Sequence, residues 1–266
     1  RGAGRRVTIA TRYDLAEVPL GVSIACDGVC LTVVDIFDLE EGAEEEGDSE
    51  EGPALRSLHS DGPGLRKTGP ALRLDTHARA AAAPDVRPAG PKLTLAEPRL
   101  ESLAAVVHAE ELERDPLAFA FVVDVSPETL EKTTLAQWQR GGRVNLEQAL
   151  MAGDELGGHF VSGHVDGRGE VLAIDMHGHG ADAYWEMRFS YPEALNGLVA
   201  PKGSITVQGV SLTVNAVEED SFTVMVIPHT ARETTLSDLR EGDAVNLEAD
   251  MLARYVQNIL QQRGLV

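Results

Sequence analysis

The chain contains two copies of one folding unit, and this duplication restricts its fold more than any other feature. Residues 23–36 read SIACDGVCLTVVDI and residues 204–217 read SITVQGVSLTVNAV, with seven of fourteen positions identical at a spacing of 181. Residues 123–135 and 224–236 share seven of thirteen positions, and VNLE occurs at 144–147 and 245–248, both at a spacing of 101. Because the matches keep their order, the sequence predicts two similar domains.

The two spacings differ by 80, which predicts an insertion of that length inside the first copy, between Ile36 and Val123. Residues 39–118 hold eight of the thirteen prolines, and residues 40–51 hold eight acids in twelve positions. Such a segment cannot bury enough apolar surface to offset its ordering entropy, so we expect a largely disordered insertion. A short helix over about residues 99–114 is consistent with its leucine spacing. A solvated loop is one interpretation of the acidic run, and a docking site for a basic partner is another.

Outside this insertion the pattern is typical of short antiparallel strands. Residues 23–36 and 204–217 each predict a hairpin, with turns at Asp27-Gly28 and Gln208-Gly209. Residues 157–165 and 170–174 are further strand candidates on either side of an Asp166-Gly167 turn. Apolar residues at helical spacing predict a helix over 251–263. We therefore expect an all-β fold of two small barrels followed by a helix.

Charge and cysteine content exclude several classes of function. The formal net charge is −20, from 43 acidic and 23 basic residues, which argues against binding to nucleic acids or to anionic membranes. The two cysteines, Cys26 and Cys30, lack the second pair that a zinc site needs. His159 and His164, followed by Asp166, could suggest a metal site, but no further ligands complete it, and we expect no metal.

Five blocks resemble one enzyme family in their order along the chain. Residues 21–33, 125–130, 145–171, 202–215 and 227–236 resemble the alpha chain of riboflavin synthase, and the resemblance extends over 5–36 and 119–262. It implies that each half is a six-stranded Greek-key barrel. It also implies that two molecules of 6,7-dimethyl-8-ribityllumazine exchange a four-carbon unit, giving riboflavin and 5-amino-6-ribitylaminouracil without a cofactor. A non-catalytic lumazine- or flavin-binding protein of the same fold is the alternative.

The resemblance also implies a domain organisation and partners. We expect an N-terminal lumazine-binding barrel over 1–150, a C-terminal one over 151–248, and a helix over 249–266 that supports a homotrimer. Each active site would lie between the first barrel of one subunit and the second barrel of its neighbour. We infer lumazine synthase as a further partner. We expect the protein itself in the cytoplasm or, if it comes from a photosynthetic eukaryote, in the plastid. The family begins with a Phe-Thr-Gly-Ile strand that this chain lacks, so we expect an open first barrel.

The resemblance assigns residues to both pockets. The catalytic candidates are His164, Cys30, Ser23, Ser211 and Asp250. The first pocket would be lined by Cys30, Leu31, Thr32, Asp124, Val125, Ser126, Pro127, Glu128 and Thr129, and Gly163, His164 and Val165 are further substrate-binding candidates. The second would be lined by Ser211, Leu212, Thr213, Ile227, Pro228, His229, Thr230, Ala231 and Arg232, and Lys202 would reach the site of the adjacent subunit. Holding two identical molecules together is the main catalytic task, and a histidine suits proton transfer near neutral pH.

Overall fold

The computed structural model describes residues 4–38, 119–178 and 183–265, together with the backbone of Arg56 and Ser57. The predicted insertion, including its acidic run and its candidate helix, otherwise lies outside these residues.

The first half of the chain forms an open antiparallel sheet. Its strands are β1 (Arg5–Thr11), β2 (Ser23–Cys26), β3 (Val29–Asp38), β4 (Arg56–Ser57), β5 (Phe119–Val125) and β6 (Leu146–Gln148). They are ordered β1-β5-β3-β2-β6, with β4 paired to β3. A single-turn helix α1 (Pro127–Lys132) and a 3-10 helix (Thr134–Gln137) follow β5.

The second half forms a closed six-stranded barrel. Its strands are β7 (Gly167–His177), β8 (Tyr184–Ser190), β9 (Ser204–Val207), β10 (Val210–Val217), β11 (Ser221–Val226) and β12 (Ala244–Ala249). The barrel order is β10-β11-β8-β7-β12-β9. Short helices follow β8 (Glu193–Leu195) and β11, where α2 (Pro228–Glu233) precedes a 3-10 helix (Thr235–Asp238), and α3 (Met251–Gln262) ends the fold. None of the helices in the described ranges is long and apolar enough to cross a membrane.

The two halves share one plan, which confirms the predicted mostly-β fold with an internal repeat. Strands β1, β2, β3, β5 and β6 correspond in order to β8, β9, β10, β11 and β12. Even an irregularity is repeated, because the register shifts between Val33 and Asp35 in β3 and between Val214 and Ala216 in β10. The closing strand β7, which pairs with both β8 and β12, has no counterpart among the described residues of the first half. Among the described residues, strands β1 and β6 are therefore the edges of an open sheet.

The hairpins and the terminal helix lie where the sequence predicted them, but one predicted strand is wrong. Residues 157–165 form a loop, and β7 begins at Gly167, so Asp166-Gly167 is the entry to one long strand and not a turn between two. The reason is that backbone groups of this loop bond to a side chain and to the other half of the chain. Gly163 donates to the carboxylate of Glu248, and its carbonyl accepts from the Cys30 amide.

Each half has its own apolar core, built from the alternate residues of its strands. In β3 the side chains of Val29, Leu31 and Val33 are buried, and in β10 those of Leu212 and Val214 are buried. Of the largest buried side chains, Trp185, Phe189 and Phe222 belong to the closed barrel and Phe121 belongs to the first half. Period-two burial leaves the opposite face of each strand free to carry polar residues.

Residues of the repeat join the two halves in a reciprocal way. The Asn246 side chain donates to the Asp27 carbonyl (2.9 Å) and accepts from the Thr134 amide (2.8 Å). Its repeat counterpart, Asn145, donates to the Gln208 carbonyl (2.8 Å) and accepts from the Thr235 amide (2.7 Å). This exchange explains the repeated VNLE segment, since each copy supplies the asparagine that holds the hairpin turn of the other copy.

The two hairpin turns meet at the centre of this interface. Gly28 and Gly209 have φ values of +74° and +80°, which glycine adopts without strain. A Cβ on either glycine would lie 2.7 Å from the backbone nitrogen of the other. Glycine is therefore needed at both positions for close approach as well as for turn geometry.

Candidate ligand pockets

Each half presents a polar pair on the outer face of its hairpin. In β3, Cys30 and Thr32 alternate with the buried Val29, Leu31 and Val33, so they face outward. In β10, Ser211 and Thr213 occupy the same positions and also alternate with buried residues. The side chains of Leu31 and Leu212 lie in the cores, so only their backbone atoms can face a ligand. The candidate pockets are thus on the outside of the sheets.

The strand that follows each hairpin delivers its terminal loop to the same corner. Val33 in β3 pairs with Val123 in β5, and Val214 in β10 pairs with Val224 in β11. In an antiparallel pair, residues before Val33 and residues after Val123 extend in the same direction. The predicted loops 124–129 and 227–232 therefore lie on the same side as Thr32 and Thr213, respectively.

Both loops turn into a single-turn helix that begins with a proline. Ser126 caps α1, because its Oγ accepts from the Thr129 amide at 3.0 Å, and Pro127 follows. Ile227 precedes Pro228 in α2 and is exposed, and it provides no side-chain cap. Asp124 pairs with Arg6 at 2.6 Å, and this hydrogen bond lowers the pKa of the Asp124 carboxyl.

The remaining predicted loop residues differ in exposure. The side chains of Val125 and Ala231 are buried, those of Pro228, Thr230 and Arg232 are partly buried, and those of Glu128 and His229 are accessible. Of the two hairpin serines, Ser23 pairs with Thr32 across β2 and β3, and Ser204 pairs with Thr213 across β9 and β10.

The loop that carries His164 is attached to the first pocket. The Cys30 amide donates to the Gly163 carbonyl at 2.8 Å, so Gly163 and its neighbours lie against the outer face of β3. Gly163 has a φ of +73°, and a Cβ there would meet the Cys30 nitrogen at 2.6 Å. His164 is exposed, and Val165 packs against the core of the first half. The structure therefore places the segment that contains Gly163, His164 and Val165 beside Cys30.

A second group of side chains holds the same loop from the other half. Asp166 accepts two hydrogen bonds from Arg254 of α3, at 2.7 and 3.0 Å. The Arg254 guanidinium also donates to the His164 carbonyl at 2.9 Å. Glu248 in β12 accepts from the backbone of Ser162 and Gly163. Arg254 and Glu248 were not identified from the sequence. The repeated VNLE segment, which contains Glu248, was a signal that could have identified this glutamate.

In the second pocket, Ser211 is held by a histidine that the sequence suggested only as a metal ligand. The Nδ1 atom of His159 lies 2.8 Å from Ser211 Oγ, and its Nε2 atom lies 3.1 Å from Thr206 Oγ1. Burial lowers the pKa of His159, although the negative charges of Asp250 and Glu248 oppose this shift. Asp250 itself begins α3, where its Oδ1 accepts from the Leu252 amide at 2.9 Å. The predicted Ser211 and Asp250 thus both flank His159.

Lys202 adopts a backbone conformation that lysine rarely tolerates. Its φ is +65°, whereas its repeat counterpart is Gly21, with a φ of +89°. Both residues make the same backbone hydrogen bond, from Lys202 to the Val214 carbonyl and from Gly21 to the Val33 carbonyl. A left-handed non-glycine residue costs about 1 kcal/mol or more and often marks a functional position. The second copy therefore keeps a lysine where glycine would suit the backbone better.

Comparison with known proteins gives relatives that match about half of the chain. The chain is 42% identical to riboflavin synthase of Photobacterium phosphoreum over 143 residues, which is 54% of this chain and 64% of that protein. It is 44% identical to riboflavin synthase of Bacillus subtilis over 53% of this chain and 64% of that protein. It is 43% identical to riboflavin synthase of Mycobacterium tuberculosis over 54% of this chain and 71% of that protein. The chain thus spans just under two thirds of the length of the first two relatives.

Solved structures of the same fold include LumP complexed with riboflavin. The TM-score is 0.55 at 16% identity, over 92% of this chain and 88% of that one. LumP complexed with 6,7-dimethyl-8-(1'-D-ribityl) lumazine gives 0.53, also at 16% identity, over 94% of this chain and 89% of that one. The fold is that of a duplicated β-barrel protein, with polar residues at matching positions on the outer face of each half. The Lumazine binding domain model matches residues 102–149 and 162–250, and the chain belongs to this family.

Proposed function

We propose that the protein is a riboflavin synthase, which converts two molecules of 6,7-dimethyl-8-ribityllumazine into riboflavin and 5-amino-6-ribitylaminouracil. The observation that carries this proposal is that both copies of the repeat carry polar side chains at the same outward positions. These are Cys30 and Thr32 in one copy and Ser211 and Thr213 in the other. A reaction between two identical molecules needs two similar binding sites. The riboflavin synthases, at 42–44% identity, support this reading.

The chemistry requires proton transfer and close orientation. One lumazine loses a proton from its C7 methyl group and becomes a carbon nucleophile, and the other accepts a nucleophile at its own C7. Correct orientation of two reactants can lower the activation barrier by about 7–11 kcal/mol. His164, whose backbone is fixed by Arg254, and Cys30 are the proposed proton-transfer and contact groups of the first pocket. Ser211 and Asp250, with Ser23 as an outer-face hydroxyl of the first pocket, complete the proposed catalytic set.

Hydroxyl and backbone groups would recognise the ligands. Thr32 and Thr213 can each donate and accept a hydrogen bond at the edge of a bicyclic ring. The backbone of the loops 124–129 and 227–232 is placed to contact the pyrimidine-like end of that ring. No metal or redox cofactor is needed for this exchange of carbon atoms.

We further propose a homotrimer in which the first pocket of one chain faces the second pocket of another. An exposed apolar face of α3 supports this assembly, because its accessible residues include Leu252, Tyr255, Val256 and Ile259. Lys202, at the entry to β9, would then reach the site of the adjacent subunit. Lumazine synthase as a partner and a cytoplasmic or plastid location remain parts of the same proposal.

A turnover assay tests the proposed function. Purified protein, preceded by a Phe-Thr-Gly-Ile strand to pair with the open edges β1 and β6, is incubated with 6,7-dimethyl-8-ribityllumazine alone. We expect one riboflavin and one 5-amino-6-ribitylaminouracil for every two lumazines consumed, measured by fluorescence and chromatography. Tight binding of two lumazines per chain without riboflavin formation would instead establish a non-catalytic binding protein.

A further inference from the structure

Glu248 is a buried carboxylate whose hydrogen-bond partners belong to the loop that carries His164. It lies in β12 of the closed barrel and is 2% exposed. Its Oε1 accepts from the Ser162 amide at 3.0 Å and from the Ser162 hydroxyl at 2.5 Å, and its Oε2 accepts from the Gly163 amide at 2.9 Å. A buried carboxylate is costly unless it is fully hydrogen-bonded, so these three bonds define one arrangement of the loop.

The same loop passes this constraint on to the other half of the chain. Gly163 donates to Glu248 through its amide and accepts from the Cys30 amide through its carbonyl. One peptide segment therefore connects a side chain of the second half to the backbone beside the Cys30 thiol. Gly163 has a left-handed φ of +73°, and a Cβ added at this residue would lie only 2.6 Å from the Cys30 nitrogen. The loop therefore packs closely against the backbone of Cys30.

We propose that Glu248 is a positioning residue for the first pocket, although it belongs to the second half. Its carboxylate holds residues 162–164 against β3, which sets where His164 and the Cys30 thiol stand relative to a bound ligand. The identity of that ligand rests on the proposed function, whereas the positioning does not. The first pocket is consequently organised by the closed barrel and not by its own open sheet.

The repeat supplies a matched control. Glu147 in β6 is the counterpart of Glu248 in the repeated VNLE segment, and it is exposed. Partial burial and the charge of Glu248 raise the pKa of the Glu147 carboxyl. Within the described part of the chain, no hydrogen bond joins Glu147 to the loop 162–164, so its substitution should leave that loop in place.

The test compares Glu248→Gln with Glu147→Gln in the chain of 266 residues, without ligand. Glutamine keeps the size of glutamate but turns one acceptor oxygen into an NH2 donor, which opposes the amide of Ser162 or Gly163. We expect hydrogen exchange at the amides of Ser162, Gly163 and Cys30 to become at least tenfold faster in Glu248→Gln. We also expect iodoacetamide to modify Cys30 several-fold faster, with the buried Cys26 as internal reference. Glu147→Gln should leave both rates within twofold of wild type.

Exchange protection of β8 and β11 shows whether the closed barrel remains folded. If it is retained and Cys30 still exchanges and reacts at wild-type rates in Glu248→Gln, the positioning role is refuted. If the variant loses the barrel, Gly163→Ala tests the same contact from the loop side, because its Cβ must displace the loop from Cys30. Unchanged Cys30 reactivity in Gly163→Ala would then refute the proposal, and faster modification would support it. Failure of the strand-extended protein of the turnover assay to form riboflavin overturns only the proposed function, since neither rate depends on ligand.

Discussion

The reciprocal asparagines of the interface make a quantitative prediction about stability. Asn246 is 2% exposed, and truncation to alanine leaves the Thr134 amide and the Asp27 carbonyl without their partners in a buried place. Each unsatisfied buried group costs about 1–3 kcal/mol, so Asn246→Ala should lower the free energy of unfolding by about 2–5 kcal/mol. Asn145→Ala breaks the equivalent two bonds where Asn145 and Thr235 are only partly buried. Water can replace these bonds, and we expect a loss of about 1–2 kcal/mol.

Urea unfolding followed by circular dichroism measures both losses, and thermal unfolding provides a second measure. At about 2–4 °C per kcal/mol for a chain of this size, Asn246→Ala should lower Tm by about 4–20 °C. Asn196→Ala is the control, because Asn196 is exposed and its change should stay within about 0.5 kcal/mol. Equal losses for Asn145→Ala and Asn246→Ala would show that burial does not set the cost. A loss below 1 kcal/mol for Asn246→Ala would show that the interface does not depend on this exchange.

Four further predictions follow from the same structure. Burial raises the pKa of Asp27 to about 6 from 3.8, so the folded state binds its proton more tightly than the unfolded state. The stability of wild type relative to Asp27→Asn should therefore fall by up to about 3 kcal/mol as pH rises from 4 to 7, and stay constant above, as pH-dependent urea unfolding can check. Lys202→Gly should raise the free energy of unfolding by about 0.5–1 kcal/mol, since glycine suits a φ of +65°, and it should slow turnover. A higher free energy of unfolding without loss of turnover would show that Lys202 does not belong to the site. His164→Ala should lower kcat about 100-fold and leave lumazine binding to the second pocket unchanged, whereas Ser211→Ala with Thr213→Ala should weaken that binding about tenfold, as titration calorimetry can measure. Residues 1–266 alone should bind lumazine at Ser211 and Thr213 but form little riboflavin, because the first sheet is open between β1 and β6; full turnover by this chain would contradict the role given to a closed first barrel.

The strands, turns and terminal helix could be predicted because their signals are local. Asp27-Gly28 and Gln208-Gly209 are turn sequences between alternating apolar residues, and both form hairpins with positive φ values. Residues 157–165 look like a strand by the same local measure, yet they form a loop. Their backbone partners lie far away in sequence, as with Ser162 and Glu248, which are 86 residues apart. No local pattern contains that information.

The resemblance proposes which residues line the site, but it does not predict the contacts that hold them. The resemblance named Cys30 and His164, and the structure places the loop of His164 on the Cys30 amide. The roles of Glu248, Arg254 and His159 in holding the site were not predicted, because their contacts join residues that lie far apart in the sequence. The repeated VNLE segment was a usable signal, since an asparagine and a glutamate repeated in a strand are hard to explain by β-propensity alone.

The two copies of the repeat differ at some of the positions that would face a ligand, and this pattern bears on the reaction. Residues that frame each half are the same in both copies, including the interface asparagines, the turn glycines and the threonines of β3 and β10. Several outward or pocket-edge positions differ, with Cys30 opposite Ser211 and Gly21 opposite Lys202. An enzyme that joins two copies of one molecule needs two sites that are alike in shape, because both ligands have the same outline. It also needs sites that are unlike in chemistry, because one molecule must lose a proton and the other must accept a nucleophile. The residues that are the same in both copies keep the two sites alike in shape, and the differences between Cys30 and Ser211 and between Gly21 and Lys202 make them unlike in chemistry. A protein that only stores lumazine has no need for unlike pockets.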